Sequence, residues 1–172
     1  IVSKGLTLNT YRSRHELPDD APLVSVIIPT RDGEEYLSRC LSSLHELTEY
    51  SNFEVVVLDN GSSKSLTLGV LKEFQEKGLI RVVECPEPFN YSALNNQGVE
   101  ASTGDLVCLL NDDIEVIDGK WLEEMVSHLL QEKVGVVGAK LLFSDKSVQH
   151  AGIVTGIGGI AGHGHKYATS AE

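Results

Sequence analysis

Short apolar runs alternate with amphipathic stretches along most of this chain. Leu23-Val24-Ser25-Val26-Ile27-Ile28 reads as a first strand, stopped at Pro29. Over residues 34–49, Leu37, Leu41, Leu44 and Leu47 recur three or four apart, the spacing of one helix face. Residues 53–58 are a second apolar run, closed by the turn formers Asp59-Asn60-Gly61-Ser62. A helix over residues 65–77 follows and ends at Gly78, which suits the position just past a helix. Residues 80–84 predict a third strand, broken by Cys85-Pro86-Glu87-Pro88, and residues 91–101 a third helix. Residues 105–110 are apolar on both faces, which predicts a central strand. A helix over 120–131 and a strand over 134–143 complete the regular part. Strands separated by helices in this way form a mostly parallel sheet covered on both faces, so the predicted class is an α/β sandwich.

Residues 151–165 break the pattern. Glycine is dense there, and at that density it marks loop or close backbone approach. His150, His163 and His165 lie alongside; exposed side chains are the expected state, and a metal or diphosphate contact by His163-Gly164-His165 is the alternative. Gly156-Ile157-Gly158-Gly159-Ile160-Ala161 loosely matches a dinucleotide fingerprint, but it is far from the first strand and first helix where that fingerprint works. Residues 1–22 are polar and read as an extended leader, leaving 23–172 as one domain.

In open α/β sheets a ligand lies beyond the carboxyl ends of the strands. Three predicted strand ends carry polar clusters, and parallel strands bring them to one side. The clusters are Pro29-Thr30-Arg31-Asp32, Asp59-Asn60-Gly61-Ser62 and Asn111-Asp112-Asp113-Ile114-Glu115. Carboxylates bunched after a buried strand cost desolvation and mutual repulsion, which a cation offsets. Hard oxygen ligands suit Mg²⁺ or Mn²⁺, which take one or two protein carboxylates and fill the rest with phosphate and water. Asp112 and Asp113 otherwise cap the turn into the next helix. Asp59 is either turn chemistry or an acceptor for the imide N–H of a uracil or thymine ring. Arg31 is a solvated loop cation or a partner of base or diphosphate, and Thr30 also suits a helix cap.

Charge narrows the partners. Lys and Arg number 14 against 25 Asp and Glu, a net charge of −11, which repels nucleic acid and anionic membrane surfaces. A nucleotide still binds where local amides and a divalent cation overcome that field. Cys40, Cys85 and Cys108 are odd in number and set among apolar residues, reading as reduced core thiols of a cytoplasmic protein. No apolar run reaches the 18 or so residues a membrane span needs.

At these clusters the sequence resembles the family 2 glycosyltransferases, which have the GT-A fold. The resemblance is carried by residues 24–30, 54–62 and 90–98 with Thr103-Gly104-Asp105, and by Leu110-Asn111-Asp112-Asp113 with Trp121-Leu122 downstream. Residues 148–152 and 162–166 resemble a branch that assembles O-antigen and rhamnose-type polysaccharides. The resemblance implies a Rossmann-like α/β/α sandwich, truncated at its C-terminus, and a metal-dependent, inverting transfer from a UDP- or dTDP-type sugar donor. The acceptor would be a glycan or lipid-linked glycan, with the parent protein cytoplasmic or peripheral at the inner membrane face. Carried over, Asp59 would contact the nucleobase, Asp112 the ribose or sugar and the metal side, and Asp113 the metal. Pro29, Thr30 and Arg31 would line the nucleoside pocket, and Asn95 and Asn96 would lie near the diphosphate or donor sugar. Asn111 stands where many relatives have Asp, and Asn95 where many have Arg. The family's general base lies on a later segment, so no catalytic residue is assigned. Two other readings are weighed beside this one. A nucleotidyltransferase would need a Gly- and Lys-rich loop where Pro29-Thr30-Arg31-Asp32-Gly33 stands, and the other is a non-catalytic nucleotide-binding module.

Overall fold

Strand β3 (Val24–Thr30) lies inside a four-stranded, all-parallel sheet in the order β5 (Arg81–Glu84), β4 (Phe53–Asp59), β3, β6 (Leu106–Leu109). The computed structural model describes residues 2–4, 11–156 and 159–169, and the chain divides into two compact units. The sheet belongs to the unit Pro18–Lys120. Ile1, residues 5–10 of the predicted leader, Ile157 and Gly158 of the discarded fingerprint, and residues 170–172 lie outside the described residues.

Helices α1 (Glu34–Leu47), α2 (Ser65–Glu76) and α3 (Tyr91–Ala101) connect the strands. From β3 through β4 to β5 the chain steps one way across the sheet, and from β5 it returns past β3 to β6. Right-handed crossovers therefore place α3 on the face opposite α1 and α2. This is the predicted α/β/α sandwich. Val26, Ile27, Ile28, Val56, Val57 and Leu58 are all 0% exposed, each burial stabilising by about 1.5–3 kcal/mol. Gly98 lets α3 approach closely, since a Cβ there would meet Ile27 Cγ2 at 2.4 Å. Gly78 closes α2 at φ +70°. Its N–H donates to Gln75 O at 3.0 Å and that of Leu79 to Phe74 O at 3.0 Å, the pairing of a Schellman motif.

Several sequence expectations are corrected. Pro29 does not stop β3, which runs to Thr30. Odd-numbered residues of β3 turn toward β6, as Leu106 N to Leu23 O and Leu110 N to Ile27 O show, and the β3–β6 ladder ends at Ile27. The missing N–H of Pro29 thus falls where that ladder stops. Strand β6 is an edge among the described residues, not central, and Val107 and Leu109 are 41% and 51% exposed. Apolarity on two faces records what a strand can bury, not which neighbours it finds.

The second unit combines Ile1–Leu17 with Trp121–Glu172. Strands β1 (Val2–Lys4) and β2 (Tyr11–Ser13) pair antiparallel, and Arg12 ion-pairs with Glu124 of helix α4 (Trp121–Leu129). The predicted strand over 134–143 shrinks to β7 (Leu141–Leu142), paired with β8 (Val148–His150). Gly135 and Gly138 weaken the first half of that run through backbone entropy. In the glycine-rich stretch expected to be loop, β9 (Ile153–Thr155) and β10 (Ala161–His163) pair antiparallel. Gly152, Gly156 and Gly159 take positive φ there, so their density is turn chemistry around strands.

Candidate functional site

In the strand order β5-β4-β3-β6 the direction of winding reverses between β3 and β6, and a crevice opens beyond the carboxyl ends of strands at such a point. Thr30 is the last residue of β3 and is 4% exposed. Its hydroxyl donates to Asp112 Oδ2 at 2.6 Å, across the reversal point, and its backbone is in register with Asp59 of β4. Thr30 therefore stands between the two acids that the sequence placed on separate strand ends.

Asp59 closes its own turn, as Oδ1 accepts from Ser62 N at 2.9 Å with Gly61 at φ +76°. The turn reading and the ligand reading are compatible, because this bond engages Oδ1 and leaves Oδ2 to a ligand. The neighbouring loop is pinned by Asp32, whose φ is +54°. Its Oδ1 accepts from Ser63 N and Lys64 N, each at 2.8 Å, and its own N–H donates to Ser62 Oγ at 3.1 Å. The backbone donors of Lys64 and Ser63 hold the Asp32 carboxyl below its usual range. Asp32 thus ties the loop after β3 to the loop after β4.

Asp112 is half-buried and the electrostatic centre of the cluster. Burial pushes its carboxyl above the usual range and the charge of Asp113 adds to that, while the Thr30 hydroxyl offsets part. Cys40 lies under the pair, its Sγ donating to Asn111 O at 3.7 Å. Burial first, then Asp112 and Asp113, push this thiol up to about 12. Gly33 is a cradle beside Asp112, since a Cβ there would lie 2.8 Å from Asp112 Oδ2.

Two asparagines carry a distinct signal. Asn95 is 5% exposed, and its Nδ2 donates to Tyr91 O at 2.8 Å. Only the amine end can face a carbonyl, which fixes the amide and leaves Oδ1 buried without a partner among the described residues. Asn60, 4% exposed, repeats the pattern, with Nδ2 on Cys85 O at 2.7 Å and Glu87 O at 2.8 Å and an orphan Oδ1. A buried acceptor without a donor costs about 1–3 kcal/mol, so both await water or ligand.

Thr30, Asp59 and Asp112 are thus brought together. Pro29 is half-buried, Asp113 is exposed next to Asp112, and Arg31 is exposed one residue past Thr30. Asn96 is exposed on α3 while Asn95 is buried, because adjacent helical residues point about 100° apart. Sequence reasoning placed Asp32 and Asn60 in the strand-end clusters without a role for either, and missed Gly33. A glycine after a strand and an aspartate in a turn have no signal of their own until the loops are seen to meet. Among the described residues no three His, Cys, Asp or Glu side chains could hold a metal by themselves. A carboxyl that resists ionisation, with a second acid beside it, still fits an ion that takes one or two protein carboxylates and completes its shell with phosphate and water.

The family model described as Glycosyl transferase family 2 matches residues 25–155. The protein y4gI of Sinorhizobium fredii is 49% identical over 148 residues, 86% of this chain and 16% of that protein. The O-antigen biosynthesis protein RfbC of Myxococcus xanthus is 40% identical over 153 residues, 89% of this chain and 12% of that protein. The chain therefore spans less than a fifth of the length of these relatives. The mannosyltransferase PcManGT from Pyrobaculum calidifontis, solved with GDP-Man and Mn²⁺, superposes with a TM-score of 0.62. The match has 23% identity over 72% of this chain and 38% of that one, a likeness of GT-A fold.

Proposed function

The chain belongs to glycosyl transferase family 2, and on that premise we propose that it binds a nucleotide-diphosphate sugar for transfer to an acceptor hydroxyl. The donor is of the UDP or dTDP type, the cation Mg²⁺ or Mn²⁺, and the transfer inverting. The product belongs to polysaccharide or O-antigen synthesis at the cytoplasmic side. The acceptor is a glycan or lipid-linked glycan. Residues 23–172 form the donor-binding part, with acceptor recognition and the general base supplied by other residues of the whole protein.

One observation carries the reading: Thr30 joins the acids of two strand ends at the point where the sheet reverses, and Asp112 is held there against its own desolvation. Asp59 Oδ2 accepts the imide N–H of the base, with Pro29, Thr30 and Arg31 lining the nucleoside. Asp113 and Asp112 hold the cation, which when bound neutralises the charge that develops on the leaving diphosphate. Asn95 offers a buried acceptor in Oδ1. That acceptor suits a ribose or sugar hydroxyl, the donor-sugar side of the expected contact. Asn96 lies toward the same donor group from the exposed side of α3. The acceptor hydroxyl needs a base to take its proton as it attacks, and no residue of this chain is assigned that role.

Calorimetry of UDP with Mn²⁺ tests the assignment. Asp113→Ala should abolish the metal-dependent part of UDP binding. Binding that survives unchanged would remove Asp113 from the site.

A further inference from the structure

The histidines of the second unit are not used by the donor site. β8 ends at His150 and β10 at His163, and their Nδ1 atoms are 2.9 Å apart. The rings meet edge to face, with centroids 5.1 Å apart and planes at 85°. The backbone holds both in place. His163 is in register with Ile153, and Gly164 N donates to Gly152 O at 3.0 Å, so the end of β10 is fixed beside the residues that follow His150.

We propose that His150 and His163 chelate a divalent transition cation of the octahedral or tetragonal class, such as Ni²⁺ or Cu²⁺. Two imidazole nitrogens about 2.05 Å from an ion and at right angles are ~2.9 Å apart, whereas a tetrahedral angle requires ~3.3 Å. The observed separation is the one a hydrogen bond between the rings gives, and the right-angled arrangement accepts it without moving the nitrogens apart. Without the ion, one Nδ1–H donates to the other Nδ1. On binding, that ring moves its proton to Nε2, and both Nδ1 lone pairs face the metal with no net proton lost. Among the described residues no third His, Cys, Asp or Glu completes a cage, so the remaining positions go to water or to an incoming ligand. The ion closes the loop between the two histidines and clips the β9–β10 hairpin to β8. It is built from residues other than those of the donor pocket and does not depend on the glycosyl-transfer reading.

Titrating the untagged chain with NiCl₂ by calorimetry tests this. One-to-one binding is expected, with His150→Ala and His163→Ala each weakening it at least about tenfold. The double variant should be no weaker than the worse single one, as for groups sharing one site. His165→Ala and Asp113→Ala should leave affinity within about twofold, and Ni²⁺ should slow proteolysis within residues 151–162. No binding by the unmodified chain would overturn the proposal. So would full affinity in either single variant, or a loss in His165→Ala or Asp113→Ala as large as in His150→Ala.

Discussion

The parallel sheet carries a half-buried acid at each end, and the two are opposites. At the amino end, Glu54 Oε1 accepts from Ser25 Oγ at 2.7 Å, Thr103 N at 2.6 Å and Thr103 Oγ1 at 2.9 Å. Arg81 pairs with its other oxygen at 3.4 Å. Burial alone would push this carboxyl up, but the Ser25 and Thr103 donors and Arg81 together hold it below its usual range. At the carboxyl end, Asp112 accepts from the Thr30 hydroxyl and its own backbone N–H, with no cation paired to it among the described residues and a like charge beside it, and burial raises its carboxyl. A carboxylate whose lone pairs are filled by the protein holds the fold together. One left short of donors keeps its affinity for something else.

Asp112→Asn gives the largest effect. With the folded pKa raised, the charged form is disfavoured in the native state. At neutral pH that charge costs stability, and the cost is relieved as pH falls through the raised value. The neutral isostere should therefore raise the melting temperature of the ligand-free chain slightly, while affinity for UDP with Mn²⁺ drops about a hundredfold or more, the upper end for groups that tune a metal. A lower melting temperature would make Asp112 a structural acid like Glu54 and erase the contrast. Glu54→Ala should do the reverse. Losing the bonds that hold this partly buried carboxylate should cost about 2 kcal/mol in chemical denaturation, with UDP affinity of the folded chain unchanged. Weaker binding at equal stability would show that the amino end also serves the ligand.

Only the carboxyl-end half of this contrast was legible in the sequence, and the limits are physical. Strand ends and their polar clusters could be read because β-branched runs and turn formers are local signals, and parallel order follows from strand-helix alternation. That Asp59 and Asp112 flank the same threonine depends on register and strand order, which no single stretch encodes. The central position expected for β6 failed for the same reason. Glu54 attracted no attention in the sequence because its partners Ser25, Arg81 and Thr103 are up to 49 residues away. The β9–β10 hairpin was missed because glycine signals turns and masks the short strands between them.

Gly33→Ala is the smallest and sharpest test. The φ of Gly33, −93°, is negative and open to alanine, so the effect is read at the Cβ. That Cβ would lie 2.8 Å from Asp112 Oδ2 and 3.6 Å from Thr30 Oγ1, and the carboxylate must swing away from the Thr30 hydroxyl. At the other end of the sheet, a Cβ on Gly104 would meet backbone at 2.7 and 2.8 Å, which cannot swing, so the same change there strains the fold instead. Gly33→Ala should thus weaken UDP binding in Mn²⁺ by about five- to tenfold, roughly 1–1.4 kcal/mol, with stability altered by less than that. Unchanged affinity would mean that Asp112 Oδ2 does not face the ligand, and the carboxyl-end cluster would lose the acid on which its contrast with Glu54 rests.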